Sequence, residues 1–151
     1  MSLEENKAIV RRFIDAYNQR NMDIFDELVA PDYIDHTHQL QGREDFKQLF
    51  TTAFNGFPDW HETIEDIIAE GDKVWVRVEA TGTHSGKWNL FGVPLLPTGN
   101  KVTMMMVFIW RIVNGKLVEG GEVDDSLDFN KQIGIIEYTE KGKEIFPEDA
   151  K

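Results

Sequence analysis

The sequence predicts an α+β fold: three helices, then four antiparallel strands. Three observations carry this expectation. Apolar residues recur at helical spacing through the first third of the chain. After Trp60 the pattern turns to alternation and continuous apolar runs. The later segments are joined by short turns such as "GDK" and Asn114-Gly115. Helices segregated from an antiparallel sheet define the α+β class. A curved sheet with helices over its concave face encloses a cavity, a natural site for a small ligand.

The first helix is expected over 3–20, where Ile9, Val10, Phe13, Ile14 and Tyr17 form one stripe behind Glu4, Glu5 and Lys7. A second, "MDIFDELVA", should end at Ala30, because Pro31 lacks an N–H and disfavours helix in the residue before it. "YIDHTHQL" reads as a short extended or irregular piece. Gly42 then leads into a third helix, 43–55, with Phe46, Leu49, Phe50 and Phe54 on one face. "GFPDW" is a turn, and "WHETIEDIIAE" is the first strand. "KVWVRVEATGTH" sets Val74, Val76, Val78 and Ala80 against Trp75, Arg77, Glu79 and Thr81. A Gly/Pro-rich loop, 85–100, holds Trp88, Phe91, Pro94 and Pro97. "KVTMMMVFIWRIV" is almost continuously apolar, so both of its faces are expected to be covered. "KLVEGGEVDDS" returns from the Asn-Gly turn as the last strand. Residues 1–134 are read as one domain and 135–151 as a polar tail.

With 151 residues, 41% of them hydrophobic, the chain can bury one sizeable core. A net charge of -11 argues against nucleic acid or an anionic membrane as partner, because both need a basic surface. There is no cysteine, which excludes disulfides and thiolate chemistry. No apolar run approaches a membrane span or a signal-peptide core, so a soluble, cytoplasmic protein is expected. Gly-x-Ser-x-Gly, P-loop, GxGxxG and His-Glu-x-x-His patterns are absent.

Three groups of residues are able to carry chemistry. Asp124 and Asp125 close the last strand, and strand alternation sends neighbours to opposite faces. An inward Asp125 would share its face with Val123 and Gly121, where desolvation raises a carboxylate pKa and makes it a competent base. Alternatively, both acids are solvated and cap the turn at "SLDFNKQ". The histidines are His36, His38, His61 and His84. His36 and His38 in an extended "DHTH" would share a face, but no third metal ligand of matching spacing follows, and His36 as a hydrogen-bond donor in a pocket is the better reading. His84 ends the "GTH" strand, either solvated or against a ligand. Met104, Met106, Phe108 and Trp110 lie on one strand face and Met105, Val107 and Ile109 on the other, mostly as core.

Several stretches in order resemble the SnoaL-like polyketide cyclase (ester cyclase) family of the nuclear transport factor two-like (cystatin-like) superfamily. They are "NKAIVRRFIDAYNQRNMDIFDELVAPDYIDH", "GREDFKQLF", "FPDW", "IEDIIAEGDKVWVRVEATGTHSG", "FGVPLLPTGNKV" and "FIWRIVNGKLVEG" leading to "VDDSLDFNKQIG". The resemblance implies a cone-shaped curved antiparallel sheet whose pocket is closed by three N-terminal helices. It implies a homodimer formed through the sheet. It also implies cofactor-free, metal-free ring closure by intramolecular aldol condensation on a small hydrophobic carbonyl compound, or an isomerisation. The acid/base carried over is Asp125, with His36 and His84 as donors to substrate carbonyl oxygens. Substrate contacts are expected from Tyr17, Gly121, Met106, Phe108 and Trp110. Two departures stand out. Gly120-Gly121 replace a frequent Trp and are expected to bulge the strand and widen the pocket. Phe108 replaces a frequent polar pocket residue. The alternative on the same fold is a non-catalytic binder of small hydrophobic ligands.

Overall fold

The computed structural model describes residues 1–90 and 92–147. Phe91, read from the sequence as part of the 85–100 loop, lies outside the described residues. Helix α1 (Leu3–Asn18) starts with a capping box: Ser2 Oγ accepts from the Glu5 N–H, and Glu5 Oε2 accepts from the Ser2 N–H at 2.6 Å. It buries Val10, Phe13, Ile14 and Tyr17 of the stripe read from the sequence, and Ile9 is partly buried at its edge. Helix α2 (Ile24–Leu28) stops two residues before the expected Ala30. The chain is already extended there, because Val29 pairs with the last strand and Pro31 holds Ala30 out of the helical region.

The "irregular" piece is largely strand: β1 (Val29–Asp35) and β2 (Leu40–Gln41) flank a turn. Helix α3 (Arg43–Gly56) follows, then β3 (His61–Glu70), β4 (Lys73–Thr83), a small β5 (Trp88–Leu90) and β6 (Val93–Leu95) hairpin, β7 (Lys101–Val113) and β8 (Lys116–Asp124). Helix α4 (Ser126–Gln132) comes next, and the expected tail contains α5 (Glu140–Ile145), near which Tyr138 stacks on Phe146 at 5.6 Å.

The main sheet has the order β2-β1-β8-β7-β4-β3. It is antiparallel apart from β1 and β8, which run parallel. That pairing joins residue 35 to residue 120, far beyond what hairpin signals report. The helices cover one face, as an α+β cone requires. Phe25 packs edge-on against Phe13 and Phe50, and Phe46 against Phe50, at 5.0–5.3 Å, while Phe13 stacks on Phe46 at 6.3 Å and meets Trp110 of β7. The other face is left uncovered by the described residues. Trp75 is 46% exposed, Ile68 66% and Val123 68%. The expectation that both faces of β7 are covered therefore holds only for the helix side. Among the described residues, no helix is long and apolar enough to cross a membrane.

The β7–β8 hairpin decides the site. It starts in register about the Asn114-Gly115 turn, with Val113 opposite Lys116 and Ile112 opposite Leu117. Then it slips: Arg111 lies opposite Glu119, leaving Val118 as an extra residue. Beyond the slip, Trp110 faces Gly120, Phe108 faces Glu122 and Met106 faces Asp124. The bulge is thus two residues before the glycines rather than at them. Gly120 serves close packing instead: a Cβ there would sit 2.3 Å from Trp110 Cδ1 and 2.8 Å from the Tyr33 hydroxyl. Its missing side chain is filled by those rings and does not widen the pocket.

Candidate active site

A cavity of about 360 Å³ lies between α3, the β5–β6 hairpin, α4 and the concave side of the sheet. Phe50, Phe54, Phe57, Trp60, Trp88, Met104, Met106, Phe108 and Phe129 supply apolar walls. The ionisable groups on its surface are His38, Glu62, Glu122 and Asp124. Among the described residues, no arginine or lysine lines it.

Glu122 and Asp124 are there because inward residues of β8 recur every second position after the slip. Burial pushes the Glu122 carboxyl up to about 7; His38 opposes this, while Asp124, Glu62 and Asp35 add to it. Beside it, β1 ends on Asp35, which is 3% exposed. Asp35 Oδ1 accepts from the N–H groups of Thr37 at 2.9 Å and His38 at 2.8 Å. This turn swings the His38 ring back, with Nδ1 3.3 Å from both Asp35 oxygens and Nε2 3.4 Å from Glu122 Oε1. Since a carboxylate only accepts, Nδ1 carries a hydrogen toward Asp35, which leaves Nε2 turned to Glu122. The hydrogen bond to Asp35 raises the His38 pKa against its burial, and the Glu122 charge adds to the rise. Burial works against ionisation of Asp35, but the His38 and Thr37 donors overcome it and hold its carboxyl below the usual range.

Elsewhere on the cavity wall sits Glu62, 4% exposed. Its Oε2 accepts from the Tyr17 hydroxyl and its Oε1 from Trp60 Nε1 at 3.0 Å. Burial raises this carboxyl to about 7 against the pull of both donors and of Arg20. Arg20, with its φ of 62° just past α1, donates to the carbonyls of Pro58 at 2.7 Å and Trp60 at 2.8 Å, which ties α1 to the start of β3.

The residues expected from the sequence distribute unevenly. Met106 and Phe108 line the cavity. Trp110 is buried and stacked on Phe108 at 4.7 Å. Tyr17 is buried and reaches the site only through Glu62. Three expected placements are corrected. Gly121 opens on the outer face against Thr37, because the slip turns it away from Phe108. Asp125, on the same outward phase, is exposed and caps α4, its Oδ1 accepting from the Asp128 N–H at 3.1 Å; Asp124 is the acid facing the cavity. His36 is also outside, with Nε2 2.8 Å from Glu119 Oε2, because the chain turns after Asp35 instead of staying extended. His36 and His38 therefore diverge, and His38 takes the cavity position. His84 is 1% exposed, stacked on Phe57 at 5.1 Å, with Nδ1 3.1 Å from Thr98 Oγ1. Burial lowers its pKa, so it is a neutral ring packed against the cavity's aromatic wall. Glu122, His38 and Glu62 were not singled out from the sequence as cavity groups. The available signal for Glu122 was its place opposite Phe108, legible only to a reader who knew of the slip at Val118.

Known proteins of this shape carry the same sequence pattern. Residues 7–133 match the profile of the SnoaL-like polyketide cyclase family. Aklanonic acid methyl ester cyclase DauD of Streptomyces sp. (strain C5) is 31% identical over 133 residues, covering 83% of this chain and 80% of that protein. Aklanonic acid methyl ester cyclase DnrD of Streptomyces peucetius is 30% identical over 133 residues, 83% of this chain and 88% of that protein. Among solved structures, AclR of Streptomyces galilaeus, a candidate hydroxylase, superposes with a TM-score of 0.78 at 28% identity, over 89% of this chain and 99% of that one. The chain belongs to the SnoaL-like polyketide cyclase family.

Proposed function

We propose that this protein is a cofactor-free cyclase or isomerase of a small, polyketide-like carbonyl compound, with Glu122 as the acid/base. The observation that carries the reading is a carboxyl group on the wall of an apolar cavity, opposite Phe108 and 3.4 Å from a histidine that Asp35 orients. Removing a proton from carbon between two carbonyls needs a base matched to neutral pH. Burial tunes Glu122 to that range. His38, protonated when Glu122 is ionised, offsets negative charge as the enolate forms. The enolate carbon then attacks a second carbonyl of the same molecule and closes the ring.

Aklanonic acid methyl ester, the compound in the names of DauD and DnrD, is the first substrate to try. Glu122→Gln keeps the shape and removes the base, and should slow ring closure by at least ~10²-fold. Asp125→Asn, the position nominated by motif register, should retain most activity. A silent Glu122→Gln together with a dead Asp125→Asn reverses the assignment. A binding role is the second reading, favoured by the continuous aromatic and methionine wall. Tight retention of the ester without turnover by the wild-type protein would establish it. The homodimer belongs to the same proposal, with the uncovered face around Trp75 and Met105 as the interface.

A further inference from the structure

Glu62 is a buried ionisable group of the cavity that neither the family resemblance nor the proposed base accounts for. Its surroundings are those of a held functional group. Tyr17 and Trp60 each give it one hydrogen bond, one per oxygen. Among the described residues no other donor reaches its side chain, so each oxygen keeps a lone pair free of protein partners. Arg20, which faces it from the end of α1, is occupied by backbone carbonyls. The ionisable groups acting on it are Tyr17 and Arg20, and it in turn repels Glu122. A purely structural acceptor for Tyr17 and Trp60 needs no position on the cavity surface, yet Glu62 lines it.

We propose that Glu62 is a second catalytic residue, the general acid that delivers a proton to the oxygen of the carbonyl under attack. This rests on the cyclase reading above. Glu122 takes the proton from carbon. The new C–C bond forms as the C=O π bond breaks, and the proton of Glu62 passes to that oxygen, leaving a hydroxyl. Glu122 ends protonated and Glu62 ionised, and one proton returned from the first to the second through solvent resets the pair. An ionised Glu62 would instead repel the forming alkoxide, so the working state is Glu62 protonated and Glu122 ionised. Repulsion between the two carboxylates favours holding one proton on the pair. Tyr17 and Trp60 fix the direction from which the proton is offered.

The test uses the full-length protein and aklanonic acid methyl ester, and compares wild type with Glu62→Gln. Gln keeps both oxygen-side partners, since its carbonyl accepts from Trp60 and its amide meets Tyr17. Two rates are read: deuterium exchange at the carbon between carbonyls, and ring closure. The proposal expects exchange within a few-fold of wild type and closure slowed by ~10²-fold or more. Equal closure rates overturn it, and so does an equal loss of exchange and closure, which marks a structural role. Infrared difference spectra give a readout independent of substrate: a protonated carboxyl band at pH 6 that persists in Glu122→Gln and is lost when Glu62→Gln is added to it. An ionised Glu62 at pH 6 overturns the acid role even if wild type proves inert toward this ester. That inertness, with the band present, counts against the cyclase reading on this substrate and leaves Glu62 as a protonated donor for a different carbonyl ligand.

Discussion

The two faces of β8 differ by one atom of logic: whether a side chain falls on an odd or an even position. On the concave face, Gly120, Glu122 and Asp124 meet Trp110, Phe108 and Met106. On the convex face, Gly121, Val123 and the exposed Asp125 look away from the helices. In the concave set burial pushes the Glu122 carboxyl up to about 7, which gives it proton-transfer chemistry. The convex set is solvated or awaits another surface, and its acid simply caps a helix. Two acids three positions apart, Glu122 and Asp125, therefore do different work, because a one-residue slip exchanges every side chain between faces.

The most damaging way to break this comparison is to reverse the phase of β8. Without Val118 and Glu119 together the hairpin would pair flush from its turn in the other phase, placing Gly121 opposite Trp110, Val123 opposite Phe108 and Asp125 opposite Met106. That double deletion should turn Glu122 out of the cavity and slow ring closure by at least ~10²-fold, whereas deletion of Val118 alone keeps Glu122 opposite Phe108. A folded variant with Asp125 now essential for activity would show that the register, rather than the residue, sets the role.

A smaller effect comes from pH. Glu122 and Glu62 hold their protons up to about 7 when folded, against an ordinary value of 4.5. Between those values the folded state binds more protons than the unfolded one, so stability must fall as pH rises through this window. His38, also raised, acts in the same direction. Tm should decline from pH 5 to pH 8, and Glu122→Gln should flatten part of that decline. A Tm that rises over this range, or an unchanged slope in the variant, contradicts the buried-carboxyl assignment. Activity first climbs with pH as Glu122 ionises and then falls as Glu62 loses the proton it donates.

The smallest effect is expected on the convex face. Trp75→Lys should change monomer stability by no more than about 0.5 kcal/mol, since the ring is half exposed. Sedimentation should nonetheless show it monomeric where the wild type is dimeric. A wild type that sediments as a monomer at micromolar concentration removes the dimer from the proposal.

Much of the fold was legible locally. The α1 stripe, the phase of β4 and the inward row Met104, Met106, Phe108 and Trp110 all follow from periodicity, which reports faces within one element. The Asn114-Gly115 turn located the last hairpin, because its positive φ values of 50° and 76° suit those residue types. What periodicity cannot report is how one element is phased against another. The parallel pairing of β1 with β8 spans the length of the chain. The turn at Asp35 sends His36 outward and His38 inward although both sit in "DHTH". So the sequence by itself determined the class, the three N-terminal helices, the four long strands, the inward row of β7 and the family. Only the tertiary structure decided which acids face the cavity, because a bulge is stabilised by packing across strands, here Gly120 under Trp110 and Tyr33, and leaves no mark in the strand's own pattern.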